Sequence, residues 1–291
     1  MNKSELRQVS TDGFPLLARG GQAEIYDCGE CRVIRVAKRP QDFDHIRYEY
    51  AIYGLLAQAG LPAPRAYELV EVKGSPAIIM DRLSGRSMLE ALASNPLRAA
   101  HWGRELAGLH TEVGKCRAAP WVRTTRAKAE WCIGHSQILS DSNKHAVLEM
   151  LQGLPDGEAL CHGDFHPGNV ILHEGKSYVI DWMGASRGDL TADVAHSYLL
   201  LRVVPRLPHI GRLLHLLQVQ VARVLAKGYL KEMASLIPFD YKRFFTWLVV
   251  NAAERTYTGL SSEQSQLLVL IERSIYWLSQ GKRKEDIYKL L

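Results

Sequence analysis

Several features that would place this chain outside the cell or in a membrane are missing from its sequence. No apolar run approaches the length of a membrane span, and residues 1–7 lack the apolar core of a signal peptide. Cysteine is scarce: the five residues, at positions 28, 31, 116, 132 and 161, form no paired zinc spacing, and their odd number argues against a disulfide framework. We therefore expect a cytoplasmic protein with reduced thiols and no membrane partner.

Blocks of charge, internal repeats and low-complexity tracts are also absent. The formal net charge is +5 at pH 7 and the basic residues are dispersed, so we expect no nucleic-acid partner. The G-x-x-x-x-G-K-[ST] motif of P-loop nucleotide-binding proteins does not occur. With 47% hydrophobic and 23% charged residues, the chain suits a soluble globular protein of one two-lobed unit or two domains.

What the sequence does contain is a cluster of polar residues near its centre. The eight residues from His162 to Asn169 read His-Gly-Asp-Phe-His-Pro-Gly-Asn. Asp164 and Asn169 have the D-x-x-x-x-N spacing of a kinase catalytic loop, in which the Asp accepts the proton of the substrate hydroxyl and the Asn holds one Mg²⁺. The spacing predicts a phosphotransfer site.

Asp181 follows this loop and is predicted to be the second metal ligand. Apolar segments at 170–172 and 178–180 flank a turn at 173–176 that contains a glycine, a pattern that predicts a β-hairpin. The hairpin would return Asp181 to the side of Asn169. A carboxylate and an amide oxygen at one point suit Mg²⁺, with phosphate oxygens and waters completing its octahedron.

The same residues have two other interpretations. Asp, Asn, Pro and Gly collect in turns for conformational reasons alone, so Asp164 and Asn169 could be turn residues. Alternatively, His162, Asp164 and His166 alternate as in a strand that presents three metal ligands on one face, which would indicate a metallohydrolase. The second interpretation lacks further His or acidic ligands at matching spacing downstream.

The central segment resembles the signature of the aminoglycoside phosphotransferase and choline kinase-like family, whose members share the protein-kinase-like fold. Other segments occur in the same order as in the family. Residues 47–51 are similar to its N-lobe helix, 55–65 to the proline-rich segment that follows that helix, and 77–85 to its inter-lobe linker. Residues 105–110 are similar to its long C-lobe helix, and 188–195 to the segment after the metal-binding Asp. The resemblance implies an α+β fold with two lobes, ATP and Mg²⁺ as cofactors, and a small-molecule hydroxyl acceptor.

The predicted N-terminal lobe, residues 1–82, combines an antiparallel sheet with one helix. Strands are predicted at 14–18, 23–27 and 31–36, and the helix at Phe43 to Gln58. By resemblance, this lobe binds the nucleotide: the Gly20-Gly21 turn covers the phosphates, Arg35 contacts them and pairs with Glu49, and Met80 lies in the linker. Lys38 remains an alternative to Arg35. The complete glycine-rich motif G-x-G-x-x-G is absent, so only the position of Gly20-Gly21 in the chain supports a phosphate-binding role for this turn.

The predicted C-terminal lobe, residues 83–291, is mostly helical and carries the catalytic loop and the acceptor site. Apolar residues at i, i+3 and i+4 predict helices at 87–92, 97–113, 125–139, 209–229, 241–256 and 264–278. His162 and His166 are expected to support the catalytic loop. Asp189 and Asp193 resemble family residues that brace it, and a helix N-cap at Asp189 is compatible with that role. His110 is expected to cap or pack within its helix rather than take part in the chemistry.

The sequence does not define the acceptor or the oligomeric state. From Arg206 onward there are thirteen Lys and Arg residues and seven Asp and Glu residues, which argues mildly against a polycationic antibiotic and favours a neutral or anionic hydroxyl compound. A non-catalytic nucleotide-binding protein of the same fold is the alternative function. A protein kinase is disfavoured because the H-R-D, D-F-G and A-P-E motifs are missing. The sequence does not determine whether ATP or GTP is preferred, nor how many copies of the chain associate.

Overall fold

The computed structural model of the chain describes residues 6–204 and 210–280, which form ten strands and nine α-helices. The strands are β1 (Leu16–Arg19), β2 (Ala23–Gly29), β3 (Arg32–Ala37), β4 (Ala66–Val72), β5 (Ser75–Asp81), β6 (Arg86–Ser87), β7 (Ala159–Cys161), β8 (Val170–His173), β9 (Lys176–Val179) and β10 (Ser186–Gly188). The helices are α1 (Phe43–Gln58), α2 (Met88–Ser94), α3 (Ala99–Gly114), α4 (Thr125–His135), α5 (Asp141–Gln152), α6 (Leu190–Arg202), α7 (Arg212–Leu236), α8 (Tyr241–Thr258) and α9 (Gln264–Ser279).

The first compact unit contains the residues up to Glu90 together with Gly168–Ala185. Its main sheet has five antiparallel strands in the order β1-β2-β3-β5-β4, and α1 packs on β4 and β5. The core of the sheet is formed by short and β-branched apolar side chains. They are Ile34, Val36, Val70, Val72 and Ala77. The predicted helix from Phe43 to Gln58 is confirmed residue for residue.

The later segment joins this unit because its strands pair with an earlier one. β8 and β9 form the predicted hairpin, with Val170 opposite Val179, and β6 pairs with β8 on its other side. This pairing explains why the first unit extends past residue 82 to Glu90 and why 168–185 belongs to it.

The second compact unit contains the remaining residues, and helices dominate it. α3 and α7 cross closely because glycine lies on both sides: a Cβ at Gly103 would lie 2.3 Å from the Leu225 carbonyl oxygen, and one at Gly228 would lie 2.7 Å from the Ala100 carbonyl oxygen. α6 packs on α8, and the buried Trp247 lies on α8. No helix among the described residues meets the length and hydropathy of a bilayer span.

Most predicted helices of this part are present, with shifted ends. The helix predicted at 125–139 is wrong at its C-terminus: α4 ends at His135 because Ser136 has extended backbone and its hydroxyl accepts a hydrogen bond from the Leu139 N–H. α5, capped by the Ser140 hydroxyl, was not predicted. The predicted start of the next helix, His209, lies outside the described residues, and α7 continues to Leu236.

Candidate active site

A buried cation and a buried acid meet in the first unit. Arg35 lies in β3 between Ile25 of β2 and Ile78 of β5, so its side chain is held by the centre of the sheet. Its Nη1 lies 2.7 Å from a carboxylate oxygen of Glu49, which α1 holds fully buried, and its Nη2 lies 3.8 Å from an Asp181 oxygen. Lys38 is exposed beyond the end of β3. The structure thus pairs Glu49 with Arg35.

Burial and charge act against each other in this cluster. Burial raises the pKa of Glu49 to about 7, although the charge of Arg35 opposes that increase. Burial alone would lower the pKa of Arg35, but the charges of Glu49 and Asp181 raise it, so the guanidinium stays charged. A cation fixed between two carboxylates presents a permanent positive charge beside Asp181.

The hairpin brings Asn169 and Asp181 to the same end of β8 and β9. The Ile180 N–H donates to the Asn169 carbonyl oxygen at 3.0 Å, and Asp181 is the next residue. Asp181 has φ 64°, a left-handed conformation that a non-glycine residue adopts rarely and that often marks functional sites. Its carboxylate is 42% exposed. A carboxylate and an amide with open surface fit Mg²⁺, which takes few protein ligands and keeps waters or phosphate oxygens.

The Gly20-Gly21 turn lies between β1 and β2, whereas Met80, which was expected in the linker, lies within β5 because its backbone pairs with β3. The Gly20 N–H donates to the Ala23 carbonyl oxygen at 2.9 Å, which closes the turn between β1 and β2. A Cβ at Gly21 would meet no atom within 4 Å, so space around it is open. Met80 is buried in β5, opposite Val33 of β3.

The catalytic-loop motif lies in the second unit and is held by Asp193. The carboxylate of Asp193 accepts hydrogen bonds from the backbone N–H groups of His162, at 2.6 Å, and Gly163, at 2.8 Å. Gly163 has φ 76°, which lets both N–H groups point at one side chain. The His162 ring is buried, and its Nδ1 accepts a hydrogen bond from the Asp164 N–H at 3.2 Å. Asp193 and His162 therefore fix the backbone at Asp164.

Asp193 is in turn held by a buried histidine. His110 Nε2 donates to the Asp193 carboxylate at 2.9 Å, since a carboxylate can only accept, and His110 Nδ1 is hydrogen-bonded to the Tyr229 hydroxyl at 2.6 Å. Burial would raise the pKa of Asp193, but the hydrogen bond and charge of His110, together with the Gly163 N–H, hold it well below its usual range. His110 packs within α3 as expected, and also forms this contact, which was not predicted.

Asp164 itself lies among three imidazoles. Its Oδ2 lies 3.6 Å from His166 Nε2, and its carboxylate is 43% exposed. Burial works to raise the pKa of Asp164, but His166, His196 and His162 together lower it well below its usual range. Asp164 is therefore an ionised carboxylate at neutral pH. Among the described residues no three His, Cys, Asp or Glu side chains form a metal-ligand cluster, so His162, Asp164 and His166 do not make the site that a metallohydrolase would need.

Asp189 caps α6, as the sequence suggested. Its carboxylate accepts from the Thr191 N–H at 2.9 Å and from Trp247 Nε1 at 3.0 Å, and Arg243 Nε lies 3.5 Å away. α8 supplies both of these last two partners. The sequence gave no signal for them, because a partner more than fifty residues away leaves no local pattern.

A small polar cavity lies behind Gly163. It measures about 10 Å³, and its lining includes Asp193, His196, Lys128 and Glu254. The Lys128 ammonium lies 3.0 Å from a Glu254 carboxylate oxygen, so an ion pair between α4 and α8 contributes to this lining. Space of this size with polar walls suits a single buried water. This ion pair was not predicted either.

The chain is similar to one family model over most of its length and to several solved structures. The model of the phosphotransferase enzyme family matches residues 24–239. Among curated protein sequences there is no match. A thermostable mutant of aminoglycoside phosphotransferase APH(4)-Ia, in its apo form, is 16% identical with a TM-score of 0.60, over 92% of this chain and 94% of that chain.

Two further structures are similar to the same extent. Amicoumacin kinase hAmiN, in complex with AMP-PNP, Ca²⁺ and Ami, is 14% identical with a TM-score of 0.60, over 93% of this chain and 90% of that chain. A putative fructosamine-3-kinase from Haemophilus somnus 129PT is 14% identical with a TM-score of 0.58, over 89% of this chain and 90% of that chain. These likenesses confirm the predicted kinase-like α+β fold with two lobes.

Proposed function

Because the chain belongs to the phosphotransferase enzyme family, we propose that it transfers the γ-phosphoryl group of ATP to a hydroxyl group of a small molecule. The observation that carries this proposal is the Asp164 loop. An ionised carboxylate stands there on a backbone that Asp193 holds through two N–H groups, and Asp193 is itself fixed by His110. A base that is charged and held in place is what phosphoryl transfer requires of the protein.

In the proposed reaction Asp164 accepts a hydrogen bond from the acceptor hydroxyl and takes its proton as the oxygen attacks phosphorus. A carboxylate of low pKa is a weak base, so its main contribution is to orient the hydroxyl, and the proton moves late. His162 and Asp193 support this step by preventing rotation of the backbone at Asp164. His166 Nε2 lies 3.6 Å from Asp164 Oδ2, and we propose that it supports the loop there and contacts the transferred phosphoryl group.

Arg35 and the hairpin ligands are proposed to act on the nucleotide. Arg35, held by Glu49, would contact the phosphates, since a guanidinium binds phosphate oxygens through two N–H groups. Asn169 and Asp181 would hold Mg²⁺, which neutralises phosphate charge when bound. The Gly20-Gly21 turn would approach the phosphates through its backbone N–H groups. A structure of APH(4)-Ia with AMP-PNP and hygromycin B supports ATP as the donor by analogy.

The acceptor we propose is a neutral or anionic hydroxyl compound. Among similar proteins the acceptors are diverse, since one structure holds hygromycin B and another is an amicoumacin kinase. In this chain no Asp or Glu occurs between Asp193 and Glu232, whereas six Lys and Arg residues do. That local charge disfavours a polycation at this part of the second unit. The cytoplasm, where ATP and Mg²⁺ are abundant, is the proposed location.

The test measures ADP formation by the purified protein with Mg-ATP and a panel of hydroxyl compounds that includes sugars, amino alcohols, homoserine, choline, aminoglycosides and macrolides. Asp164→Asn is the control, because it keeps the size of the side chain and removes its charge. We expect acceptor-dependent ADP that falls by at least a hundredfold in Asp164→Asn, with ATP binding unchanged. Tight Mg-ATP binding without turnover on any acceptor would favour a non-catalytic nucleotide-binding protein, and full activity of Asp164→Asn would refute the assigned role.

A further inference from the structure

The first half of α7 exposes an apolar face to solvent. None of the side chains of residues 212–224 is buried, and the buried residues of this helix begin at Leu225. A helix face of this kind is normally covered by another surface. We call its members the α7 band: Leu213, which is 73% exposed, and Leu214, Leu216, Leu217 and Val224, which are between 47% and 56% exposed.

The α7 band lies on the outer side of the helix. At 3.6 residues per turn its five members fall within about 160° of arc and extend for about 18 Å along the helix. The buried residues of the same helix, such as Tyr229, lie on the opposite side and face the rest of the second unit. The helix is therefore amphipathic in an unusual sense, because a second apolar surface points away from the core.

Cations without acidic partners border this band. Arg212 and Arg223 are exposed and lie beside Leu216 on the helix surface, and the exposed Lys227 follows one turn after Arg223. None of these three cations forms an ion pair with a described residue. No Asp or Glu occurs in residues 194–231, so the chain supplies no acid within or next to this segment in the sequence.

A cation on α6 adds to the same charge. Arg202 Nε is buried and has no hydrogen-bond partner among the described residues. Burial lowers the pKa of Arg202, and the positive charge of Arg223 lowers it further, while Tyr198 acts in the opposite direction. Two cations that repel each other in this way, with no acid to neutralise them, are stabilised when an anionic surface binds.

We propose that the α7 band and its bordering cations bind an anionic membrane surface, with the helix lying along that surface. In such binding the leucines enter the boundary between headgroups and acyl chains, and the long stems of Arg and Lys let their charged ends reach the lipid phosphates and carboxylates. The leucines supply the apolar contact and the cations select negatively charged lipid. No membrane-spanning segment is needed for this mode of binding.

Size and charge both favour a lipid surface over a second copy of the chain. Four leucines and a valine at these exposures present roughly 500 Å² of side-chain surface, whereas a specific protein interface buries about 800 Å² on each partner. A second copy bound through the same face would also bring the same unpaired cations to the contact, where like charges repel. An anionic bilayer supplies the opposite charge along the whole length of the band.

Co-sedimentation of the full chain with lipid vesicles tests the proposal. We expect the wild type to bind vesicles of phosphatidylcholine and phosphatidylserine in equal parts, and to bind vesicles of phosphatidylcholine alone at least tenfold more weakly. High salt should also weaken the binding, because it screens the charges. A wild type that does not bind the anionic vesicles, or that binds both kinds equally, would refute the proposal. The assay contains no nucleotide or acceptor, so its result is independent of the proposed phosphoryl transfer.

Two double variants locate the contact on α7. Leu213→Gln/Leu217→Gln removes apolar contact and Arg212→Gln/Arg223→Gln removes charge. Each is expected to weaken binding to the anionic vesicles at least tenfold. The thermal unfolding midpoint should stay that of the wild type, because all four side chains are exposed. Wild-type binding by either folded variant would show that the band and its cations are not the contact.

Matched controls remove the same groups from other parts of the surface. Leu97→Gln removes a leucine that is 96% exposed, and Arg47→Gln/Arg117→Gln removes two exposed cations and thus the same net charge. Both controls should bind the anionic vesicles as the wild type does, and an equal loss in them would indicate adsorption by net charge and overturn the proposal. Sedimentation equilibrium without vesicles covers the other occupant: self-association that disappears in Leu213→Gln/Leu217→Gln, without vesicle binding, would assign the band to a second copy and also overturn it.

Discussion

The Lys128 ammonium and the Glu254 carboxylate lie 3.0 Å apart and link α4 to α8 beside the cavity behind Gly163. Glu254 is 2% exposed. Burial would raise the pKa of this carboxyl, but the charge and hydrogen bond of Lys128, together with the charges of His196 and Arg255, outweigh that effect and lower it. Lys128 is therefore the main partner that keeps Glu254 charged.

Removal of one partner of this pair is expected to cost far more stability than removal of both. Lys128→Met leaves a buried carboxylate without its cation, which costs about 3 kcal/mol in the free energy of unfolding, whereas Lys128→Met/Glu254→Gln restores most of that loss because no unpaired charge remains. Urea unfolding of the two single variants, the double variant and the wild type measures the coupling. Additive single effects would show that the two groups do not stabilise each other.

The acid sensitivity of the fold is expected to depend on Asp193. Its pKa is lowered in the folded protein, so its contribution to stability is complete above the ordinary carboxyl pKa of about 4 and is lost as pH falls below that value toward the folded pKa. Asp193→Asn lacks this titration. The difference in unfolding free energy between wild type and Asp193→Asn should therefore be constant from pH 7 to pH 5 and shrink at lower pH. If Asp193→Asn does not fold, His110→Gln, which removes a partner of Asp193, serves instead; a difference that grows on acidification would contradict the argument.

Local patterns in the sequence were sufficient for the elements that carry the site. The periodicity of 43–58 gave α1, and the glycine turn at 173–176 gave the hairpin that places Asn169 near Asp181. Both depend on residues whose spacing determines which side of an element they occupy. The pairing of Arg35 with Glu49, by contrast, was implied by the resemblance to the family, in which a strand cation is followed by a helix acid.

The contacts that hold the catalytic loop could not be predicted in the same way. His110 and Asp193 are 83 residues apart in the sequence, and Asp189 accepts its hydrogen bond from Trp247, which is 58 residues away. Such partners are chosen by the packing of α3, α6 and α8, not by any pattern within one helix. The end of α4 was missed for a related reason, since one hydroxyl contact at Ser136 stopped a helix whose apolar spacing continued.

One strained hairpin turn offers a stabilising substitution. Between β2 and β3 the two turn residues, Glu30 and Cys31, have φ 50° and 56°. The turns at Lys73-Gly74 and Glu174-Gly175 also have positive φ at both positions, but glycine fills their second position. Such turns favour Asn-Gly, so Glu30→Asn/Cys31→Gly is expected to stabilise the fold by about 1 kcal/mol, measured by thermal unfolding.

The matched control makes the opposite substitution, glycine to cysteine, at the second position of the Lys73-Gly74 turn. Gly74→Cys should destabilise the fold by a similar amount, because the new Cβ meets no atom within 4 Å but the backbone remains at φ 83°. If Gly74→Cys is neutral, positive φ is not the source of strain in either turn.

Two glycines of α3 should respond in opposite directions to the same substitution. A Cβ at Gly103 would lie 2.3 Å from the Leu225 carbonyl oxygen and would separate α3 from α7, whereas a Cβ at Gly108 would meet nothing within 4 Å. Gly103→Ala is therefore expected to destabilise the fold by several kcal/mol. Gly108→Ala should stabilise it by up to about 1 kcal/mol, since alanine loses less backbone freedom in a helix. Chemical denaturation distinguishes them, and equal effects would mean that the crossing is not close.

Arg35 provides the prediction that links the first unit to nucleotide binding. Arg35→Lys keeps a positive charge near Glu49 but loses the planar fork that grips phosphate, whereas Arg35→Met removes the charge altogether. We expect Mg-ATP affinity, measured by calorimetric titration, to fall moderately in Arg35→Lys and by more than tenfold in Arg35→Met. Lys38→Met, which removes an exposed cation beyond the end of β3, should bind Mg-ATP as the wild type does. The reverse ranking, with Lys38→Met impaired and Arg35→Met intact, would assign the phosphate contact to Lys38.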